Sequence, residues 1–224
     1  RANANDLAAV IVEPVQSRHP EIRPVEFLKE LRAITEQSGT AFVFDEVVTG
    51  FRTHQGGMQA LYGIRADMAT YGKVLGGGMP VGILAGAPRF MDALDGGQWR
   101  YGDDSVPEVA PTFFAGTFVR HPLVLAACHA VMTYMEEQGP SLQTKLAERC
   151  AALVERINAD LARRGIATRA ETFSSWFNIN FAGEDRLGSL FYLYVRHLGV
   201  HIQEGFPCFL TTTHTDQDLE KVYR

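Results

Sequence analysis

The residues Ala41-Phe42-Val43-Phe44-Asp45 form a short apolar run that ends in a single acidic residue. A similar run covers residues 7–12. Between the two, Pro24 opens a segment with a helical pattern, which stops at a glycine and places on one face Phe27, Leu28, Leu31 and Ile34. Short apolar runs of this kind are typical of strands buried on both faces of a parallel sheet. Residues 7–45 therefore predict a strand–helix–strand unit with a right-handed crossover.

Both apolar runs are closed by a carboxylate, Glu13 after the first and Asp45 at the end of the second. Ligands of open parallel sheets bind beyond the carboxyl ends of the strands, where both residues are expected to lie. Burying a carboxylate without a partner is costly, so we expect Asp45 to meet a cation, a metal ion or backbone donors. A carboxylate that only caps its own loop is the structural alternative.

An isolated lysine, Lys73, follows in the stretch Thr70-Tyr71-Gly72-Lys73-Val74-Leu75-Gly76-Gly77-Gly78. Short strands are predicted over 68–71 and 83–85, and the glycines between them let the backbone approach a neighbour closely. Schiff-base chemistry needs a lysine among neighbours that favour the neutral amine, whereas a solvated surface lysine is the alternative. A carboxylate and an amine together suit pyridoxal 5′-phosphate, whose ring nitrogen needs the acid and whose aldehyde needs the amine.

Two further patterns concern phosphate chemistry. Thr117, in Ala115-Gly116-Thr117, precedes a helix predicted to open at Pro122, and a hydroxyl near a helix start suits a phosphate. A threonine of the helix-entry loop is the plainer interpretation. Residues 42–46, which end in Asp45-Glu46, also fit a magnesium-binding strand of nucleotide hydrolases. That chemistry needs the motif G-x-x-x-x-G-K-[ST], which does not occur in this sequence.

The second half of the chain predicts a smaller domain. A long apolar helix from Pro122 and an amphipathic helix that stops at Gly165 precede a strand over 176–181, a helix over 187–198 and a strand over 200–203. Thr215, with Asp218 three residues later, resembles the capping box of a final helix. The predicted fold class is α/β, a mostly parallel sheet with helices on both faces, plus a smaller C-terminal α+β domain.

Composition argues against several functional classes. The formal charge of −5, without a Lys/Arg stripe, disfavours sequence-independent nucleic-acid binding. No apolar run reaches the roughly 18 residues of a membrane-spanning helix. Cys128, Cys150 and Cys208 are widely spaced and odd in number, which predicts reduced thiols in a cytoplasmic protein rather than disulfides or a zinc site. The chain starts at Arg1 and stops within a helix-like segment, so we expect it to be a piece of a longer polypeptide.

Taken together, these stretches resemble the class III aminotransferases, a branch of the fold-type I pyridoxal-phosphate enzymes. The matching residues are Val12-Glu13-Pro14-Val15, residues 44–52, residues 70–78 and Ala115-Gly116-Thr117. Within the second stretch, Thr49-Gly50-Phe51-Arg52 is similar to glutamate-1-semialdehyde aminomutases and their relatives. The family's phosphate loop and stacking aromatic ring lie upstream of the residues present here. The chain alone is therefore expected to hold an incomplete site.

The resemblance implies a domain organisation and roles for individual residues. Residues 1–118 would be the C-terminal part of the large cofactor-binding domain, and residues 119–224 an interdomain helix with the small C-terminal domain. Lys73 would carry the cofactor and move the proton between substrate carbon and cofactor carbon, while Asp45 would keep the pyridine nitrogen protonated. Val47 would pack on a face of the ring, and Glu13 would order the site. Thr117 would contact the phosphate of the neighbouring subunit's cofactor, which implies a homodimer.

Three stretches are similar to a narrower group, the aminotransferase domains of hybrid polyketide–peptide synthases: residues 16–20, 118–122 and 204–211. Those domains convert a β-ketoacyl thioester on a carrier protein to the β-amino thioester, with an amino acid as amine donor. The resemblance implies this activity for the chain, with Arg18 and His19 meeting the thioester or the donor carboxylate. A stand-alone aminomutase of the glutamate-1-semialdehyde type is the alternative. A nucleotide hydrolase and a non-catalytic docking domain are the other classes left open.

Overall fold

The computed structural model describes residue 3 and residues 6–97, 99–181 and 188–224. The helices and strands of the described residues, in chain order, are β1 (Ala9–Val12), α1 (Val25–Ser38), β2 (Ala41–Asp45), α2 (Gly57–Tyr62), β3 (Met68–Gly72), β4 (Gly82–Gly86), α3 (Pro88–Met91), α4 (Pro122–Gln138), α5 (Ser141–Arg163), β5 (Arg169–Phe173), β6 (Trp176–Asn180), α6 (Gly188–His197), β7 (Cys208–Phe209) and α7 (Asp216–Tyr223). Two short 3₁₀ turns cover Lys73–Gly76 and Asp92–Leu94.

The chain divides into two compact units. The first comprises Arg1–Pro14, Val25–Phe51 and Gly56–Glu137, and the second Val15–Pro24, Arg52–Gln55 and Gln138–Arg224. Two short segments from the first third of the chain thus belong to the C-terminal unit. The domain boundary expected after residue 118 stays a prediction.

The first unit is built on a four-stranded sheet in the order β1-β2-β3-β4. The first three strands run parallel and β4 is antiparallel to β3, so the predicted α/β class with a mostly parallel sheet is confirmed. Residues 41–44 of β2 are fully buried, as expected for a central strand with no polar residue before its last position. The core of this unit consists of Leu28, Phe42, Phe44, Ile64 and Ala69.

Helix α1 covers β2 with a narrower face than the sequence predicted. Leu28 is fully buried, Leu31 packs at the edge of the core, and Thr35 completes the inward stripe at helical spacing. Phe27 was expected on the same face but is 57% exposed, since it precedes Leu28 by about 100° around the helix. The helix ends at Gly39, whose φ of +71° is a left-handed conformation that glycine adopts easily.

The second unit contains a three-stranded antiparallel sheet in the order β5-β6-β7. Its core joins α5 to the sheet through a cluster of buried residues, Cys150, Leu153, Val154, Ala170, Phe177 and Leu210. Strands β5 and β7 were not predicted. The strand expected over 200–203 is wrong, because the backbone amides of Gly199 and Val200 bond back to Arg196 and Val195 and close the end of α6. Residue 187 of the predicted last-but-one helix lies outside the described residues.

Helix α7 confirms the predicted capping box. The Thr215 hydroxyl accepts a hydrogen bond from the Asp218 amide, and the Asp218 carboxylate accepts one from the Thr215 amide at 2.7 Å. Aspartate replaces the usual glutamate at this position and still reaches the cap. In the part of the chain that the structure describes, no helix is both long and apolar enough to cross a membrane.

Candidate active site

Asp45 and Lys73 lie at the same edge of the sheet. Strands β2 and β3 are parallel neighbours, and Asp45, the last residue of β2, pairs with Thr70. Lys73 follows directly after Gly72, the last residue of β3. Glu13 follows β1 at this edge as well. The parallel pairing therefore brings together the carboxylates and the amine that the sequence placed after separate strands.

One carboxylate oxygen of Asp45 is used within the protein and the other is open. Oδ1 accepts hydrogen bonds from the Val47 amide at 3.1 Å and from the Thr70 hydroxyl at 3.0 Å. Among the described residues, none donates a hydrogen bond to Oδ2. The first bond is the local cap that the sequence left open as an alternative. Because it uses a single oxygen, Asp45 keeps a free acceptor with a fixed orientation.

The backbone at Lys73 is held in an unusual conformation. Its φ is +45°, a left-handed value that costs a residue with a side chain about 1–2 kcal/mol. The residue opens the 3₁₀ turn Lys73–Gly76 and is exposed. Within the described parts of the chain, its amine makes no ion pair or hydrogen bond. A lysine beyond a strand end, without a partner in the described residues, leaves its amine open to a carbonyl group.

Val47 lies beside the residue that precedes Lys73. A Cβ atom placed on Gly72 would be 3.5 Å from Cγ1 of Val47 and 2.9 Å from the carbonyl oxygen of Val81. The missing side chain at Gly72 thus lets Val47 approach the strand end. Val47 is only partly buried, so part of its apolar side chain is exposed beside Gly72, the residue before Lys73.

The glycine run after Lys73 serves helix packing. A Cβ atom on Gly77, whose φ is +58°, would lie 2.7 Å from Cγ2 of Val131 in α4. Buried residues of this contact include Leu75 of the turn and Val124 and Cys128 of the helix. The close backbone approach that the sequence predicted here therefore fits α4 against the turn that begins at Lys73.

Two further acidic residues are held by hydrogen bonds in the first unit, Glu46 beside this edge and Asp67 at the opposite end of β3. Glu46 is fully buried, and Oε2 of its carboxyl group accepts a hydrogen bond from the Met58 amide at 2.8 Å. Asp67 accepts hydrogen bonds from the Phe42 amide and from Arg32, each at 2.8 Å, and from Arg89 at 2.5 Å. Their partners are distant in the sequence, so no local pattern could have found them.

Burial acts on both carboxyl groups with different results. At Glu46, burial raises the pKa above its usual value, and the hydrogen bonds from Met58, Gln59 and Thr49 offset this effect only in part. At Asp67, burial also raises the pKa. The hydrogen bond from the Phe42 amide and the Arg32 guanidinium outweigh it, so the pKa is lower than usual. Asp67 is thus a paired anion, whereas burial makes the charged form of Glu46 less favourable than it is in water.

Thr117 is placed apart from these residues. It lies in an exposed turn over residues 117–120, and the described residues provide no hydrogen bond to it. The structure therefore brings Asp45, Val47 and Lys73 together and leaves Thr117 on the surface. This position is compatible with the expectation that Thr117 acts on a neighbouring subunit, which stays a prediction.

Arg52, the last residue of the Thr49-Gly50-Phe51-Arg52 stretch, belongs to the second unit. Its guanidinium lies 4.2 Å from the centre of the Phe209 ring in β7. Burial lowers the pKa of Arg52 to about 10. The Ser174 hydroxyl also donates a hydrogen bond to its carbonyl oxygen at 3.3 Å. These contacts show that Arg52 packs on the small sheet, a role that the sequence did not predict.

The residues present fit pyridoxal 5′-phosphate. Asp45 has an open carboxylate oxygen for a protonated ring nitrogen, and Lys73 has an amine without a partner in the described residues for an aldehyde. Val47 supplies apolar surface beside Gly72. A group with a basic nitrogen at one end and a carbonyl at the other matches this set of side chains.

Comparisons with known proteins agree with this chemistry. A family model described as aminotransferase class-III matches residues 1–172. The chain is 33% identical to a glutamate-1-semialdehyde 2,1-aminomutase of Archaeoglobus fulgidus, over 97% of the chain and 52% of that protein. It is 41% identical to the protein of the same name from Pyrobaculum aerophilum, over 80% of the chain and 39% of the relative. The chain thus spans about half the length, or less, of these relatives.

Solved structures show the same fold. A β-phenylalanine aminotransferase from Variovorax paradoxus superposes with a TM-score of 0.83 at 29% identity, over 99% of this chain and 51% of that one. An omega-transaminase from Sphaerobacter thermophilus gives a TM-score of 0.84 at 25% identity, again over 99% of this chain and 51% of its own. The family match covers more than half of the chain, and the fold and the arrangement of Asp45 and Lys73 agree with it. The chain belongs to the class-III aminotransferase family.

Proposed function

We propose that this chain supplies the lysine and the carboxylate that bind pyridoxal 5′-phosphate in an aminotransferase, and that the whole protein transfers an amino group from an amino acid to a carbonyl substrate. The supporting observation is the position of Asp45 and Lys73 after neighbouring parallel strands, with Val47 beside the second strand end. Family membership supports the same proposal. It leaves the nucleotide-hydrolase alternative without support.

The residues of this edge would divide the chemistry among them. When bound, pyridoxal 5′-phosphate supplies an aldehyde that reacts with amines and a ring that accepts electrons. Asp45 would accept a hydrogen bond from the ring nitrogen through Oδ2 and keep that nitrogen protonated by its negative charge. Lys73 would hold the cofactor through Nζ and, once its amine is released, carry a proton at Nζ. Val47 would exclude water from one side of the ring.

Reductive trapping of the full-length protein tests the proposal. Borohydride treatment followed by peptide mass spectrometry should find the cofactor on the peptide that contains Lys73. Lys73→Ala should abolish the adduct, whereas Lys145→Ala, at an exposed position of α5, should leave it unchanged. Asp45→Asn should keep the adduct and weaken cofactor affinity about 10–100-fold, the value of one charge-assisted hydrogen bond. An unmodified Lys73 peptide in the wild-type protein would contradict the proposal.

For the substrate, we propose a β-ketoacyl thioester tethered to a carrier protein. The support is the likeness of residues 16–20, 118–122 and 204–211 to the aminotransferase domains of hybrid synthases. Two of these stretches meet within the second unit, where the Arg18 guanidinium lies 5.1 Å from the centre of the Phe206 ring. Asn178 also donates a hydrogen bond to the Ser17 carbonyl at 3.0 Å. Two of the three stretches that distinguish the narrower group are thus in contact with each other.

A glutamate-1-semialdehyde aminomutase is the second candidate, because the relatives from Archaeoglobus fulgidus and Pyrobaculum aerophilum carry that name. The two candidates differ in the source of the amino group. A carrier-bound acceptor would take ¹⁵N from an external amino acid, and intact-protein mass spectrometry of the carrier would detect it. Turnover of glutamate semialdehyde, without transfer of label to the carrier, would favour the aminomutase.

We further propose that the protein is a homodimer in which Thr117 serves the partner's site. The support is the number of large apolar side chains that are exposed on the 113–119 segment and on α4. These side chains are Phe113, Phe114, Phe118, Val119, Leu123, Leu125, Met132 and Tyr134. Monomers rarely expose so many large apolar side chains close together in the sequence. The opposite face of α4 already packs in the first unit through Val124 and Cys128.

Light scattering and subunit mixing test the dimer. Phe118→Glu in the full-length protein should reduce the mass by half, whereas Phe27→Glu, at an exposed apolar position of α1, should leave it unchanged. Lys73→Ala and Thr117→Ala subunits should each have low activity. If Thr117 acts across the interface, mixing them should restore activity, because one site of each hybrid then has both residues. Mixing without recovery would contradict this role for Thr117.

A further inference from the structure

Glu46 is a buried carboxyl group between two residues proposed to contact the cofactor. It follows Asp45 and precedes Val47, and its side chain has no exposed surface. The Glu46 amide donates a hydrogen bond to the Thr70 carbonyl at 3.0 Å, and the Thr70 hydroxyl is the group that bonds Asp45. Glu46 is therefore tied to the same point of β3 that orients Asp45.

The two oxygens of Glu46 have different surroundings. Oε2 accepts hydrogen bonds from the Met58 amide at 2.8 Å and from the Thr49 hydroxyl at 3.3 Å. Oε1 is buried and meets no hydrogen-bond partner in the part of the chain that the structure describes. Gly57 lies so close that a Cβ atom there would be 2.5 Å from Oε2 and 2.6 Å from Oε1. The carboxyl group thus fixes the start of α2 to the turn that carries Asp45 and Val47.

These surroundings do not favour a second negative charge. Among the described residues, Glu46 forms no ion pair, and a buried carboxylate without a cation is costly. The titratable group that faces it is Tyr71 of β3, whose pKa is raised chiefly by burial. Gln59 of α2 donates a hydrogen bond to the Tyr71 hydroxyl at 3.3 Å. From β3 and α2, therefore, Glu46 meets a phenol, an amide and backbone groups rather than a base.

We propose that Glu46 is a positioning residue: an uncharged, buried carboxyl group that ties the Asp45–Val47 turn to the start of α2. Its hydrogen bond to Met58 holds the turn in place, so Asp45 and Val47 keep their orientation at the edge of the sheet. Because it carries no charge, it leaves Asp45 as the negative group that faces the ring nitrogen. This inference rests on the proposed cofactor site.

The first experiment measures the charge state without the cofactor. In the full-length apoprotein, we compare the unfolding constants of wild type and Glu46→Gln between pH 5 and 8. A carboxyl group that keeps its proton only when folded destabilises the folded state as pH rises, by up to about tenfold in the unfolding constant per pH unit. The advantage of Glu46→Gln should therefore grow with pH. An advantage that is constant or falls with pH would overturn the proposal.

Asp67→Asn is the matched control, since Asp67 is also buried in the first unit but is paired with Arg32 and Arg89. Its lowered pKa predicts the opposite sign: the wild-type advantage over Asp67→Asn is fully present above the ordinary pKa of 3.8 and is lost as pH falls through the lower value of the folded state. Between pH 5 and 8 the wild-type advantage over Asp67→Asn should therefore stay constant, and a constant Asp67 difference beside a growing Glu46→Gln advantage would show that the assay reports each carboxyl group separately.

The second experiment measures positioning in the cofactor-loaded protein. Glu46→Gln keeps an oxygen for the Met58 amide and should bind the cofactor within about threefold of wild type, whereas Glu46→Ala should weaken binding about tenfold or more, as for one lost hydrogen bond. The pH midpoint of the bound cofactor's absorbance should not move in Glu46→Gln. In Glu46→Ala it should move in the same direction as in Asp45→Asn.

Either of two results would overturn the positioning role. One is wild-type affinity and midpoint in Glu46→Ala, and the other is a tenfold loss of affinity in Glu46→Gln, which would mean that the charge itself is needed. If Glu46→Ala does not fold, the Glu46→Gln measurements still decide. Failure of the proposed function would appear separately, as a wild-type protein in which borohydride leaves Lys73 unmodified.

Discussion

Asp67→Asn is expected to destabilise the first unit by loosening the contact between the start of β2 and the start of β3. The Asp67 side chain is 11% exposed and accepts hydrogen bonds from Arg32, Arg89 and the Phe42 amide. The backbone of Asp67 also bonds the Phe42 carbonyl at 2.8 Å. Residue 67 therefore holds β2 beside the start of β3, and so sets the register of the strands that end at Asp45 and Gly72.

The size of the expected loss in the free energy of unfolding follows from the three donors to Asp67. Asparagine keeps one oxygen, which can still accept from both the Phe42 amide and Arg32, because both donate to Oδ2. The bond to Arg32, whose side chain is 18% exposed, then loses its charge assistance, and a largely shielded guanidinium loses its anion, which costs about 2–3 kcal/mol. Arg89 is 59% exposed, and water screens that pair to less than about 1 kcal/mol. We expect a total loss of about 2–4 kcal/mol in the free energy of unfolding at pH 7.

The loss should depend on pH in a defined direction. The carboxylate of Asp67 is stabilised in the folded state, so its contribution is present above pH 3.8 and disappears as pH falls through its lower folded pKa. The gap between wild type and Asp67→Asn should therefore be widest near neutral pH and close in acid. High salt should reduce it only slightly, since the Arg32 pair is mostly buried.

The assay is urea unfolding of the full-length protein, monitored by a spectroscopic signal that reports on the first unit. Arg89→Ala is the control for the exposed arm and should cost less than about 1 kcal/mol. Arg32→Ala should cost nearly as much as Asp67→Asn. Two results would refute the role of the Asp67–Arg32 ion pair in setting the strand register. One is an equal loss of stability in the two arginine variants, and the other is a loss below about 1 kcal/mol for Asp67→Asn at pH 7.

Two further predictions concern stability and can be read from thermal or urea unfolding. Gly57→Ala should cost about 2–4 kcal/mol, because φ is +64° and the new methyl group would lie 2.5 Å from the carboxyl group of Glu46. Gly63→Ala, with φ of +65° and no neighbour within 4 Å, should cost only about 1–2 kcal/mol, and equal losses would contradict the contact. Asn158→Ala should cost about 2–4 kcal/mol, since Asn158 bonds both the amide and the carbonyl of buried Ala170, each at 2.8 Å. Asn158→Asp keeps the bond from the Ala170 amide but sets a carboxylate oxygen against the Ala170 carbonyl, so it should also lose stability, and wild-type stability would argue against the two-sided contact.

The sequence by itself determined the features that depend on local pattern. The run of residues 41–45 predicted a buried strand, and a helix stop at Gly39 and the cap at Thr215 were recognisable because each involves residues within a few positions of one another. The order of Asp45, Val47 and Lys73 in motifs of a known family identified the expected chemistry. These signals come from residues close together in the sequence or from motifs shared with a family, so they needed no knowledge of packing.

Only the tertiary structure decided which distant groups meet. Glu46 with Met58, Asp67 with Arg32, and Gly77 with Val131 are contacts between separate elements, and nothing in the residue types fixes such partners. Strand β7 is two residues long and exists because β6 pairs with it. Burial, pairing and charge state are properties of a neighbourhood. Such a neighbourhood forms when residues far apart in the sequence fold against one another, whereas a sequence pattern reports only on residues a few positions apart.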